Sequence, residues 1–220
     1  MDGTTARVSD QTLGDFTTEL ASEQPTPGGG AAAAVSAALA ASLTAMVLRL
    51  SLGRPKYQEH ADLHAEALEA SDAARDRFLE LADDDASAYA AYRAARALPH
   101  ETEEQEASRE AATREAARGA AAVPLRVVEA CHSQIELVER VTGRTNQYVA
   151  SDLEVAALLL EGAARSAAAN VAVNLGAIGD EGYATAVRAE LDQRLQRIQS
   201  AADKTQARIA RGGTRSPENA

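Results

Sequence analysis

About a quarter of this chain is alanine, and no stretch alternates apolar and polar residues with the two-residue period of a strand. These two facts constrain the fold most. Alanine is the best helix former and loses no side-chain entropy on ordering. Strands need β-branched and aromatic runs at period two, yet aromatics make up 3% of the residues and Trp is absent. The chain is therefore expected to be all-α, one helical bundle spanning residues 1–220, with mobile tails at about 1–9 and 211–220. Its 45% apolar content can supply a core. Alanine buries little area per residue, so the helices must approach closely, and a second copy would thicken a thin core. An oligomer that extends the core is expected.

The formal net charge of −11 argues against nucleic acid and against an anionic membrane surface as partners, since polyanions need a dense basic face. The single Cys131 fits a reducing compartment. Residues 1–20 hold Asp2, Asp10, Asp15 and Glu19 and no apolar signal segment, so a cytoplasmic location is expected. The run 31–48 is uncharged and sits at the lower length limit for a membrane span. Its alanines, with Ser36, Ser42 and Thr44, read instead as a buried helix.

Along the chain, Thr12 with Asp15 three residues on marks a helix start, and Pro25 and Pro27 lie beyond its end. The next helix carries Val35, Leu39, Leu43, Met46 and Leu50 at steps of four, four, three and four, and ends near Gly53. A third helix covers about 56–81. After Asp83-Asp84-Asp85, residues 86–97 form either a new helix or a continuation. Glu101–Arg118 is charged and helical, and Pro124 predicts a kink or a new start. A loop at 142–148 precedes the most apolar segment, 153–175, expected to be central. An amphipathic helix over about 180–210 closes the chain.

Several constellations carry chemistry. Gly28-Gly29-Gly30 lacks the Lys of a phosphate loop and a preceding strand. It reads either as a flexible joint or as a side-chain-free helix N-terminus that another group can approach. Asp85, Tyr89 and Tyr92 share a helix face, with Asp83 pointing elsewhere. A carboxylate beside aromatic rings can exchange protons near neutral pH, although a solvated acidic cluster gives the same sequence. Ser151-Asp152 is good N-cap chemistry. Asn170 and Asn174, four apart in an apolar helix, need partners and either hold a neighbouring backbone or line a polar pocket. Arg54 and Lys56 are an anion contact or simply balance a helix end. His60 and His64 have metal-pair spacing but read as solvated, and no metal is expected. Cys131-His132 point to different faces and do not read as a catalytic pair.

Five stretches in order, "PTPGGG" at 25–30, "MVLRLSLGRPKY" at 46–57, "LADDDASAY" at 81–89, "VPL" at 123–125, and "NQYVASD" at 146–152 with "AANVAVNL" at 168–175, resemble the formimidoyltetrahydrofolate cyclodeaminase and methenyltetrahydrofolate cyclohydrolase family. The resemblance covers about residues 12–180. It implies an all-helical cytoplasmic homodimer that binds a tetrahydrofolate derivative at or near the dimer interface and uses no cofactor beyond it. Asp85 is implied as the catalytic carboxylate. Gly28, Gly29, Gly30, Arg54, Lys56, Tyr57, Asp83, Tyr89, Asn146, Ser151, Asp152, Asn170 and Asn174 are the substrate-binding candidates. The chain departs from the family pattern at Pro55, His100, Tyr148, Ala172 and Gly176, changes that remove positive charge or alter the pocket edge. The implied reaction is cyclohydrolysis of 5,10-methenyltetrahydrofolate to the 10-formyl compound. The alternatives are cyclodeamination of 5-formimidoyltetrahydrofolate, a family member turned to another cyclic amidine, and a helical dimer that binds a ligand without catalysis.

Overall fold

A computed structural model describes residues 7–212. Among the described residues six α-helices make up the bundle: α1 (Leu13–Leu20), α2 (Gly29–Arg49), α3 (Ala61–Arg96), α4 (Glu103–Val141), α5 (Ala150–Ile178) and α6 (Glu181–Arg211). Short 3-10 turns at Val8–Asp10, Pro55–His60 and Gln147–Val149 join them. No strand occurs among the described residues. α5 lies between α2, α4 and α6, and α2 packs on α3 and α5, so the most apolar sequence segment is central as expected. The tails expected at 1–9 and 211–220 fall mostly outside the described residues. Within them, Arg7 and Val8 are tied to α3, and Arg211 still belongs to α6.

The caps follow the sequence closely at α1 and less so at α5. Thr12 accepts a hydrogen bond from the Asp15 N–H at 3.1 Å and caps α1. α5 begins at Ala150, so Ser151 and Asp152 occupy its first turn and do not cap it. The capping oxygen is supplied earlier, by Asn146, whose Oδ1 accepts from the Tyr148 N–H and opens the 3-10 turn before α5. Gly179, at φ 69°, ends α5 in the left-handed conformation that a side chain resists.

Two places where the sequence left a new helix start open are continuous. α3 runs unbroken through Asp83-Asp84-Asp85, because successive residues on a helix point about 100° apart and the three carboxylates never share a direction. Asp83 accepts from the Val8 N–H at 2.7 Å and pairs with Arg7, while Asp84 pairs with Arg126 of α4 at 3.2 Å. α4 likewise runs through Pro124 with no new start. Proline has no N–H for the carbonyl four residues back, and here that carbonyl, Ala120 O, accepts instead from Asn174 Nδ2 of α5 at 3.2 Å.

α2 is buried, but by a different face from its branched stripe. Ala31, Ala34, Ala37, Ala40 and Ala41 are fully buried, whereas Leu39, Met46 and Leu50 are exposed and Val35 and Leu43 half-buried. Small alanines let α3 and α5 close on α2 with backbone near backbone, which turns the larger side chains outward. α2 is long and apolar enough, by length and composition, to cross a membrane; most of it is buried inside the bundle.

Candidate active site

The N-terminus of α2 has no side chain of its own to cap it, because Gly28 stands at the N-cap position. The first N–H groups of a helix lack internal partners and carry the positive end of its dipole. Asp85, 54 residues away on α3, answers one of them: its carboxylate accepts from the Ala31 N–H at 3.2 Å. This is the third helical residue, the donor that an N-cap side chain would usually satisfy. The approach is possible because Gly30 has no side chain; a Cβ there would overlap the Asp85 carboxylate.

Asp85 differs from its two neighbours in having no cation beside it. Burial pushes its carboxyl above the usual carboxylate range, and the Ala31 N–H pulls it part of the way back. An Asp poised this way exchanges protons closer to neutral pH than an exposed one does.

A cleft of about 220 Å³ opens on this carboxylate. Pro25, Thr26 and the three glycines form one wall, Ala88 and Tyr89 of α3 another, and Ala120, Asn170, Val173 and Asn174 the rest. The two asparagines both hold backbone and line the pocket. Asn170 Nδ2 donates to Ser166 O at 2.9 Å, and Asn174 Nδ2 donates to Asn170 O and Ala120 O. Their N–H groups are thereby used within the fold, while their amide oxygens carry no hydrogen bond among the described residues and can accept from a ligand. Gly29 faces Asn170, with a hypothetical Cβ 3.4 Å from Nδ2. Gly29→Leu should therefore leave helical content by circular dichroism unchanged and raise KM about tenfold, the order lost by an overfilled site.

The remaining candidates assemble elsewhere. Asp83 lies outside the cleft, in a neighbouring groove with Val8 and Thr26, where it anchors the N-terminal segment. Arg54, Lys56, Tyr57, Asn146, Ser151 and Asp152 gather at the opposite end of α2, roughly 30 Å from the glycines at 1.5 Å per residue. There Asn146 N–H donates to Ser51 Oγ at 2.8 Å, Gln147 N–H to Tyr57 Oη at 3.0 Å, and Lys56 Nζ to Gln147 Oε1 at 2.7 Å. His64 Nε2 lies 2.9 Å from Arg144 O and is used in the same local network, with burial holding its pKa below the ordinary value. Cys131 is buried, which pushes its thiol pKa up, so it is no nucleophile. Sequence reasoning did not single out Ala120 O or Val173. The first was signalled by Pro124, which frees the carbonyl four residues before it.

An all-helical bundle that holds a buried carboxylate with a raised pKa against a glycine helix start, in a cleft lined by amide oxygens, has the groups that acid–base chemistry needs. The formiminotransferase-cyclodeaminase family profile matches residues 12–193, and the chain belongs to that family. It is 40% identical over 186 residues to a methenyltetrahydrofolate cyclohydrolase of Methylorubrum extorquens, covering 84% of this chain and 89% of that one. It is 35% identical over 203 residues to the formimidoyltransferase-cyclodeaminase of Sus scrofa, covering 90% of this chain and 37% of the larger protein. The crystal structure of formiminotetrahydrofolate cyclodeaminase from Thermotoga maritima superposes with a TM-score of 0.83 at 26% identity, covering 92% of this chain and 98% of that one.

Proposed function

We propose that the chain is a folate one-carbon enzyme of the cytoplasm that acts at the amidine carbon between N5 and N10 of tetrahydrofolate, most specifically as a methenyltetrahydrofolate cyclohydrolase. The observation that carries this reading is the Asp85 carboxylate, set at the Gly30 helix start with its pKa raised by burial. Water adds to the cationic methenyl carbon, and Asp85 takes its proton. The neutral tetrahedral adduct opens when Asp85 returns that proton to N5. Loss of the remaining hydroxyl proton to solvent gives the 10-formyl product. Charge and atoms balance with water and one shuttling carboxylic acid. The carboxylate also faces a cation in the ground state and neutral species later, so its raised pKa favours returning the proton. Cyclodeamination uses the same carbon: N10 attacks the formimidoyl group, and Asp85 moves the proton from N10 to the departing ammonia. The similarity to the bacterial cyclohydrolase along nearly its whole length favours the first reaction.

The purified chain should hydrolyse 5,10-methenyltetrahydrofolate, followed by loss of its near-ultraviolet absorbance, faster than buffer does. Faster ammonia release from 5-formimidoyltetrahydrofolate would reverse the order of the two activities. Conversion of neither would sink the folate reading.

We further propose a homodimer. α2 and α5 present outward-facing apolar side chains, Leu39, Met46 and Leu50 with Val155 and Leu158, of which Leu158 is 50% exposed. A face of this kind along two neighbouring helices suits a second copy. A two-fold axis that sets the two α2 helices antiparallel brings the Lys56, Tyr57, Asn146, Ser151 and Asp152 group of one copy toward the Asp85 cleft of the other. Two half-sites about 30 Å apart in one chain then become one composite site.

A further inference from the structure

We propose that a cavity lined by Arg96, Arg109 and Arg114, further along the helices that line the Asp85 cleft, binds the carboxylates of the substrate's glutamate tail. This rests on the folate reading above. The cavity measures about 390 Å³ and is completed by Glu110, Thr113, Ala177 and Gly179. Its lining residues follow those of the cleft along the same three helices. Asp85 and Tyr89 are followed on α3 by Arg96; Ala120 is preceded on α4 by Arg114 and Arg109; and Asn174 is followed on α5 by Ala177 and Gly179.

Charge makes this cavity unusual. The chain has a net charge of −11, and most of its arginines are paired, such as Arg49 with Asp72, Arg126 with Asp84 and Arg194 with Glu190. Arg96, Arg109 and Arg114 have no ion pair or hydrogen bond among the described residues. Glu110 and the carbonyl ends of α3 and α5, each equivalent to about half a charge, offset part of the three guanidinium charges. Roughly one unit of positive charge is left over. The guanidinium fork suits carboxylates, and Thr113 adds a hydroxyl donor.

Distance agrees with the chemistry. At 1.5 Å per residue, Arg96 lies about 16 Å along α3 from Asp85, and Arg114 about 9 Å along α4 from Ala120. From N10 of folate, across the aminobenzoyl ring, to the glutamate carboxylates is about 10–14 Å by ordinary bond lengths. Between the two ends lie the Tyr89 ring and the exposed Val173 side chain, apolar surface against which an aryl ring can rest. The cavity also accounts for what the departures at Pro55, Ala172 and Gly176 leave open, since positive charge for the tail comes from α3 and α4.

The test compares 5,10-methenyltetrahydrofolate carrying one or three glutamates with 5,10-methenyltetrahydropteroate, which has none. Arg109→Gln, Arg114→Gln and the double variant are made, with thermal melts as folding controls. KM for the glutamylated substrates should rise about tenfold per arginine removed, the range for a lost charge-assisted bond, with kcat changed less than twofold. KM for the pteroate should stay within about twofold, and raised salt should weaken only the glutamylated substrates. Wild-type turnover with equal KM changes for pteroate and glutamate forms, or with none, overturns this proposal alone and leaves the arginines as balances for the helix ends. Absence of wild-type turnover on every folate sinks both readings.

Discussion

Asp85→Asn should lower kcat by about 10²–10⁴-fold, the usual contribution of a positioned proton-transfer group, without unfolding the protein. Asparagine keeps an oxygen that can accept from the Ala31 N–H, so the α2 start stays capped. The effect on stability has a definite sign. Burial raises the Asp85 pKa above its unfolded value, so the stability this group contributes is fully present below the unfolded pKa and is lost as pH rises through the folded one. Asparagine has no such loss. The melting temperature of the variant relative to wild type should therefore improve as pH is raised from about 4, and the gap should close below that. A variant that keeps full kcat removes Asp85 from the chemistry; one that loses stability at higher pH contradicts its placement as a buried carboxylate without a cation.

Gly30→Ala reaches the same carboxylate from the other side. Alanine is the better helical residue by about 1 kcal/mol, so the variant gains helix propensity. Its Cβ nevertheless takes the space of the Asp85 carboxylate, which must leave the Ala31 N–H. A kcat loss close to that of Asp85→Asn, with the melting temperature nearly unchanged, is the expected pair of results. It separates a glycine kept for approach from one kept for flexibility.

The sequence made the helical class legible, since alanine content and 3.6-residue periodicity are local properties. It did not reveal which face of α2 goes inward. The large residues of its stripe suggest a core, whereas close packing is decided by the small ones, Ala34, Ala37 and Ala41. At Asp83-Asp84-Asp85 the sequence left open whether the helix continues, because like charges adjacent in sequence repel. Their partners, the Val8 N–H, Arg126 and the start of α2, come from three remote segments. That same dispersal singles out Asp85 as the carboxylate without a cation. The link between Pro124 and Asn174 was half legible: proline announces a free carbonyl at Ala120 but not what takes it. Linear motifs hold no distances, so nothing in the sequence indicated that the Asp85 group and the Asn146–Asp152 group sit at opposite ends of one helix.

That separation leads to the second large effect. If each site is built from two copies, Asp85→Asn and Asp152→Ala should each abolish most activity, and mixing them should restore some. Asp152 suits the second position because its side chain makes no hydrogen bond or ion pair among the described residues and it does not cap α5. Its removal should cost stability only the few tenths to 1 kcal/mol of a first-turn carboxylate. After co-refolding or co-expression at equal amounts, random pairing makes half the dimers mixed. One of the two sites in each mixed dimer then carries both wild-type halves, which gives about a quarter of wild-type activity. Light scattering should report twice the 23.0 kDa chain mass for the wild type and for both variants. Introducing Glu at Leu158 on the exposed α5 face should yield a folded monomer that has lost turnover, since an uncompensated charge at an apolar interface opposes association. Mixtures no more active than the sum of their parts, from chains that do exchange, would place the whole site within one copy. The Asp152 end of α2 would then serve only to fasten α5.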